Sequence, residues 1–148
     1  MRKVVLFCLI FCGLYSSVNA LEVPNNLIDI LRTWLGKPVS EIPQEAVRLN
    51  FNLYRVIISS TNNEKVTLSL EVKTNTIVGA SYTFMGSRSQ LITVQNRLYD
   101  LVRPYGDPTA SDNEWYFWVI RGGIIISINQ IGFVENNIFG ISFGLNKQ

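Results

Sequence analysis

Acid–base or metal chemistry in this chain would have to come from carboxylates. There is no histidine, and the only two cysteines, Cys8 and Cys12, fall in the first dozen residues. A histidine-based triad and the usual zinc or copper ligand sets are therefore out of reach. There is no Gly-x-Gly-x-x-Gly, no Walker loop and no Ser-x-x-Lys. What remains is Glu71 in a strand-like segment and Asp107, Asp112 and Glu114 in a polar stretch. Two carboxylates at the right separation are sufficient to hydrolyse a glycosidic bond. The segment from Asp107 to Glu114 is rich in oxygen ligands, but it lacks the order and the central glycine of an EF-hand, and solvated loop acids are the plainer reading. No metal site, catalytic residue or cofactor is assigned. Arg121-Gly122-Gly123 reads as a hairpin turn rather than a phosphate cradle.

The other unusual stretch is Trp115-Tyr116-Phe117-Trp118-Val119-Ile120. A strand with one wet face alternates apolar and polar side chains; here both alternating sets are apolar. One account covers both faces with helices and a loop. Another leaves one face as an aromatic patch that binds a protein or a hydrophobic ligand, and a third covers it with a second copy of the chain. The anchors would be Tyr116 and Trp118, or Trp115 and Phe117, depending on which parity faces out, with Arg121 beside them.

The elements that position these residues follow an export signal. Arg2 and Lys3 precede an apolar run from Val4 to Tyr15, and Val18 and Ala20 put small residues at −3 and −1. That is the anatomy of a secretory leader cut after Ala20. Twelve apolar residues are too few for a spanning helix. The bulky Phe7 and Phe11 before the two cysteines depart from lipoprotein signals. Residues 21–148 are then a single periplasmic or secreted domain without thiols, stabilised by packing alone. Removing Arg2 and Lys3 from thirteen basic residues leaves eleven, equal to the eleven acids. The charges are scattered, with no basic stripe for nucleic acid. Thirteen asparagines follow Ala20 without one glycosylation sequon, which leans toward a bacterial source.

Leu27, Ile30, Leu31 and Trp34 recur at helical spacing, and Gly36 and Pro38 stop the element, predicting a helix over 26–35. Alternation at Leu49, Phe51 and Leu53, then at Val66 to Lys73, then through Thr76 to Phe84, predicts three strands. Ser87 or Ser89 can cap a second helix with the stripe Leu91, Val94, Leu98 and Leu101. Three more strands follow, at 115–120, 124–130 and 138–143. A shift of seventy positions superposes Gly36 on Gly106 and Pro38 on Pro108, so residues 26–84 and 87–143 are a candidate internal repeat. The expected fold is α+β: an antiparallel sheet of about six strands built from two helix-then-three-strand halves, with both helices on one face.

A helix running into Tyr105-Gly106-x-Pro108, then a loop, a Trp-bearing strand and two further strands, resembles small exported bacterial modules. The β-lactamase inhibitory proteins and the BamE-type outer-membrane assembly proteins are similar in outline. The resemblance covers the plan of 26–143 and specific residues only at 34–38 and 104–118. The inhibitors carry disulfides and the BamE-type proteins a lipid anchor, and this chain has neither signal. The resemblance thus implies architecture and protein binding, not a specific target. The leading expectation is a non-catalytic binding module contacting another envelope or extracellular protein. The competing one is a carboxylate-using hydrolase or hydrophobic-ligand carrier, with Glu71, Asp112, Glu114 or Arg121 converging on a pocket.

Overall fold

A computed structural model describes residues 21–61, 63–135 and 138–148. The leader and its cleavage after Ala20 lie outside the described residues. The chain forms one eight-stranded antiparallel sheet with a long helix and a short one, in place of the expected six strands and two helix-then-three-strand halves. Helix α1 (Leu27–Arg32) precedes β1 (Val47–Asn50), β2 (Leu53–Ser60), β3 (Lys65–Lys73) and β4 (Thr76–Gly86). Helix α2 (Arg88–Val102) precedes β5 (Ala110–Ser111), β6 (Trp115–Ile120), β7 (Ile124–Glu135) and β8 (Ile138–Lys147). The spatial order is β1-β2-β3-β4-β8-β7-β6-β5. Each helix is thus followed by four strands, and the two runs meet where β4 pairs with β8.

The two extra strands have different causes, one a local turn and the other a pairing with β6. The alternation Leu49, Phe51, Leu53 passes through a turn, because Asn50 folds the chain back on itself. Its Oδ1 accepts the Asn52 amide at 3.0 Å, and Arg48 donates to the carbonyls of Asn50 and Phe51, both at 3.0 Å. The expected strand splits into β1 and β2. The second, β5, lies inside the polar stretch at 109–114 and pairs Ala110 with Phe117 and Ser111 with Tyr116.

Helix α2 starts at Ser87 with a capping box. The Ser87 hydroxyl accepts from the Gln90 amide, and the Gln90 side-chain oxygen accepts from the Ser87 amide at 2.9 Å. Its buried stripe is Leu91, Val94, Leu98 and Val102. Helix α1 is shorter than expected; its face is Leu27 and Leu31, with Ile30 and Trp34 packed alongside. Arg97 of α2 reaches the Asn25 side chain at 3.0 Å, tying the start of α1 to α2 on the same side of the sheet. The sheet meets this layer with Val56, then Val66, Leu68 and Leu70, then Tyr82 and Phe84, then Ile141, Phe143 and Leu145, then Ile126 and Ile128. All are one parity set across the ladders, which is why the core is continuous.

The opposite parity set forms the other face. Reading across the ladders from β6, Phe117 is followed by Ser127, Gly144, Ser81, Ser69 and Arg55. A parallel row runs from Trp115 through Asn129, Ser142, Thr83 and Thr67 to Ile57. No helix of the described residues lies on this side.

Candidate functional site

Strand β6 carries the aromatic residues that stand out in the sequence. Its start is set by Asp112, whose Oδ1 accepts the amides of Glu114 (2.8 Å) and Trp115 (2.9 Å). Its end is set by the turn at Arg121–Gly123, where Gly122 and Gly123 take φ of 85° and 69°, a region L side chains avoid. Between these limits aromatic and β-branched residues pair residue for residue with β7, from Trp115 opposite Asn129 to Ile120 opposite Ile124. The outer edge of β6 is covered in part: Thr109 donates its amide to the Phe117 carbonyl (2.8 Å), and the Thr109 hydroxyl accepts the Val119 amide (3.0 Å).

Parity then separates the aromatic residues. Trp118 goes under the helix layer, 4% exposed, and its indole Nε1 donates to the Gly106 carbonyl at 3.0 Å. Tyr116 meets Tyr99 of α2 edge to face, with ring centres 5.6 Å apart and planes at 81°. Burial pushes the Tyr99 phenol above its ordinary range; a hydrogen bond from Gln95 opposes the shift and Tyr116 adds to it. Burial alone raises Tyr82.

Trp115 and Phe117 stand on the open face. Their rings stack with centres 4.8 Å apart and planes at 10°, both half-buried, and Val119 continues the row, 50% exposed. This ridge of three borders a floor of small polar side chains. At its centre Gly144 is fitted closely: a Cβ there would lie 3.2 Å from Ser127 Oγ and from Ser81 Cβ. Across the floor Thr83 donates to the Ser142 hydroxyl at 3.4 Å. Thr67 is 1% exposed and its hydroxyl has no partner among the described residues. Arg121 is exposed in the turn at the end of β6.

The carboxylates do not gather. Glu114 lines a cleft of about 440 Å³ beside α2 with Arg88, Gln95, Gln130 and Phe139. Glu71 lines another, of about 340 Å³, with Lys73, Asn146 and Lys147. Asp112 is engaged in capping β6, and Arg121 lines neither cleft. Among the described residues no three Asp, Glu, Cys or His side chains are grouped to hold a metal ion. One further pattern is missed by attending to carboxylates and aromatics: Gly140-Ile141-Ser142-Phe143-Gly144 has the Gly-x-Ser-x-Gly spacing. As a nucleophile elbow it would need a sharp turn between a strand and a helix, with a histidine base. Here it lies within β8, and the chain has no histidine.

Tyr105-Gly106-x-Pro108 acquires a structural role. Gly106 adopts φ 76° and ψ −152°, a conformation reserved for glycine, and it is its carbonyl that receives the Trp118 indole. No family model matches the chain, and comparison with curated proteins and with solved structures gives no match either.

Proposed function

We propose that the chain is an exported, non-catalytic binding module that holds another envelope or extracellular protein against the open face of its sheet. One observation carries this reading: the parity of β6 turns Trp115, Phe117 and Val119 to the face that no described helix covers. Aromatic side chains held rigid by stacking offer large contact area at low entropic cost, and residues of this type dominate binding energy at protein interfaces. The floor beside them, Ser127, Gly144, Ser81 and Ser69, has short side chains that let a projecting loop or helix come close. Arg121 is exposed in the turn that ends β6. The export part of the reading rests on the leader pattern of residues 1–20, and N-terminal sequencing of the protein recovered from the cell envelope should begin at Leu21.

The test is photocrosslinking from a probe at Val119 in the native envelope, in the parent chain and in Trp115→Ala/Phe117→Ala. The parent should give one reproducible crosslinked protein. The double variant should lose it, by about thirtyfold or more in affinity for two aromatic anchors, while keeping its circular dichroism. Retention of the same product by the folded double variant would refute the site.

The alternative of a small-ligand carrier has one supporting feature, the cleft beside α2, whose volume is in the range of ligand sites. Of the carboxylates named as hydrolytic candidates only Glu114 lines it, whereas the two-carboxylate mechanism needs a pair. The carrier reading is therefore the one this cleft favours over a hydrolase. It is tested by titration with amphipathic small molecules against Gln130→Ala.

A further inference from the structure

Strand β6 begins at Trp115, opposite Asn129, whereas β7 runs on to Glu135 and β8 begins at Ile138. The far end of the β7–β8 pair therefore has no β6 beside it, and the cleft beside α2 opens there, on the helix side of the sheet. Its two ends carry opposite charges. Tyr116 of β6 packs on Tyr99 of α2. One step back along each element, two residues on the strand and four on the helix, come Glu114 and Gln95, both lining the cleft. Gln130 belongs to the same end, its backbone amide donating to the Glu114 carbonyl at 2.7 Å. Arg88 lines the cleft seven residues before Gln95, so it stands about 10 Å away along the helix axis. Between these ends the lining is apolar, with Leu91 and Ile92 from α2 and Phe139 and Ile141 from β8. Ile92 is 53% exposed, although it belongs to this apolar stretch. Neither the Arg88 guanidinium nor the Glu114 carboxylate forms an ion pair or a side-chain hydrogen bond among the described residues.

We propose that this cleft binds a short free-ended peptide with its α-carboxylate at Arg88, its α-ammonium at Glu114 and an apolar side chain between Leu91, Ile92 and Phe139. The proposal rests on the carrier reading of this cleft and names its ligand; the cleft lies on the other side of the sheet from the Trp115–Phe117 ridge and is independent of what that ridge holds. Charge decides the class. A fatty acid would satisfy Arg88 but lay its chain against Glu114, and a long-chain amine would do the reverse. Either leaves one ion screened from water without a partner. A ligand that carries both charges satisfies both ends. Length decides the size. A single amino acid spans only about 3.5 Å and reaches one end, whereas three extended residues span about 10 Å. At about 440 Å³ the cleft is near the small end of ligand sites, which suits a tripeptide rather than a longer chain. Gln95 and Gln130 supply amide donors and acceptors for its peptide bonds.

Isothermal titration of the purified full gene product with alanyl-leucyl-alanine tests this. The free tripeptide should bind, and its N-acetyl and C-amide derivatives should each bind about tenfold more weakly. Free leucine, which reaches only one end, should bind more weakly still. Arg88→Gln should bind the free acid and the amide alike, and Glu114→Gln should bind the free amine and the acetylated peptide alike. Both side chains are exposed, so circular dichroism should be unchanged in each variant, and Arg88→Lys, which keeps the charge, should restore the preference for acid over amide. Equal affinity for free and blocked peptides overturns the proposal. So does a folded glutamine variant that keeps the parent's discrimination at the end it has altered. Binding of octanoate that Gln130→Ala abolishes, without binding of the tripeptide, overturns the peptide and leaves the carrier reading standing; binding of neither overturns both.

Discussion

The indole Nε1 of Trp118 donates to the backbone carbonyl of Gly106 at 3.0 Å, joining the middle of β6 to the turn that follows α2. This bond and the burial of the indole ring fix which face of β6 looks inward. A one-residue slip would carry Trp118 out and bring Phe117 in, stranding the indole donor's partner and reversing every side chain of the strand. The outward aromatic ridge is thus set from the inward side, by a glycine whose backbone conformation other residues resist.

Trp118→Phe should therefore destabilise the protein by about 1–2 kcal/mol, from the lost hydrogen bond and the smaller ring. Gly106→Ala should cost about 1–3 kcal/mol, because alanine must take a strained backbone conformation at φ 76°. The two losses should be less than additive in the double variant, since each disturbs the same contact. Urea denaturation of the four proteins measures the coupling; strict additivity would mean that Gly106→Ala leaves the bond to Trp118 intact.

Individual elements were legible where their signals were one-sided, although the architecture they build was not. Val66 to Lys73 alternates cleanly, and the alternation is the face assignment observed. Leu91, Val94 and Leu98 lie under α2 as their spacing requires, and Ser87 caps it. The strand count was not legible. Leu49, Phe51 and Leu53 keep a period of two through a turn whose cause is the local bonding of Asn50 and Arg48, and β5 is a two-residue pairing that depends on β6 being in place. On β6 the composition marks the strand as unusual, but two apolar parities carry no information about which is inside. That choice is made by partners distant in sequence, Tyr99 for Tyr116 and Gly106 for Trp118.

The capping box at the start of α2 offers a separate test. The Ser87 hydroxyl and the Gln90 side chain satisfy each other's backbone amides, and the Gln90 amide group also donates to Glu64 near the start of β3. Ser87→Ala should lower stability by about 1 kcal/mol in denaturant titration. Ser87→Asp retains an oxygen acceptor at the helix N-terminus and should recover most of that loss.

Alkaline pH should weaken the fold through the buried phenols. Tyr99 and Tyr82 both ionise less readily in the folded protein than their ordinary value of 10.0, through burial first in each case. Well below that value both folded and unfolded chains hold the protons, and the contribution to stability is complete. As the pH rises past it, the unfolded chain releases protons before the native one does, so stability falls until the native phenols also ionise. The melting temperature should drop between about pH 9 and about pH 11. Tyr99→Phe should flatten that drop, with a larger gain relative to the parent at the alkaline end than at neutral pH. An equal offset at both would assign Tyr99 a packing role without a titrating one.

Thr67 sits on the open face between Ile57 of β2 and Thr83 of β4, yet it is 1% exposed and its hydroxyl has no partner among the described residues. A buried hydroxyl without a hydrogen bond forfeits its interaction with water and gains nothing in return. Thr67→Val keeps the branched shape at Cβ and replaces the hydroxyl with a methyl group. It should therefore leave the protein as stable or raise its stability by up to about 1 kcal/mol, against the usual direction for a core substitution. Thr67→Ser keeps the hydroxyl and removes the methyl, and should cost about 1 kcal/mol. Paired melting curves decide the matter. A valine variant that loses as much as the serine variant would mean that the hydroxyl is hydrogen-bonded in solution, and that the floor of the open face reaches water at this position.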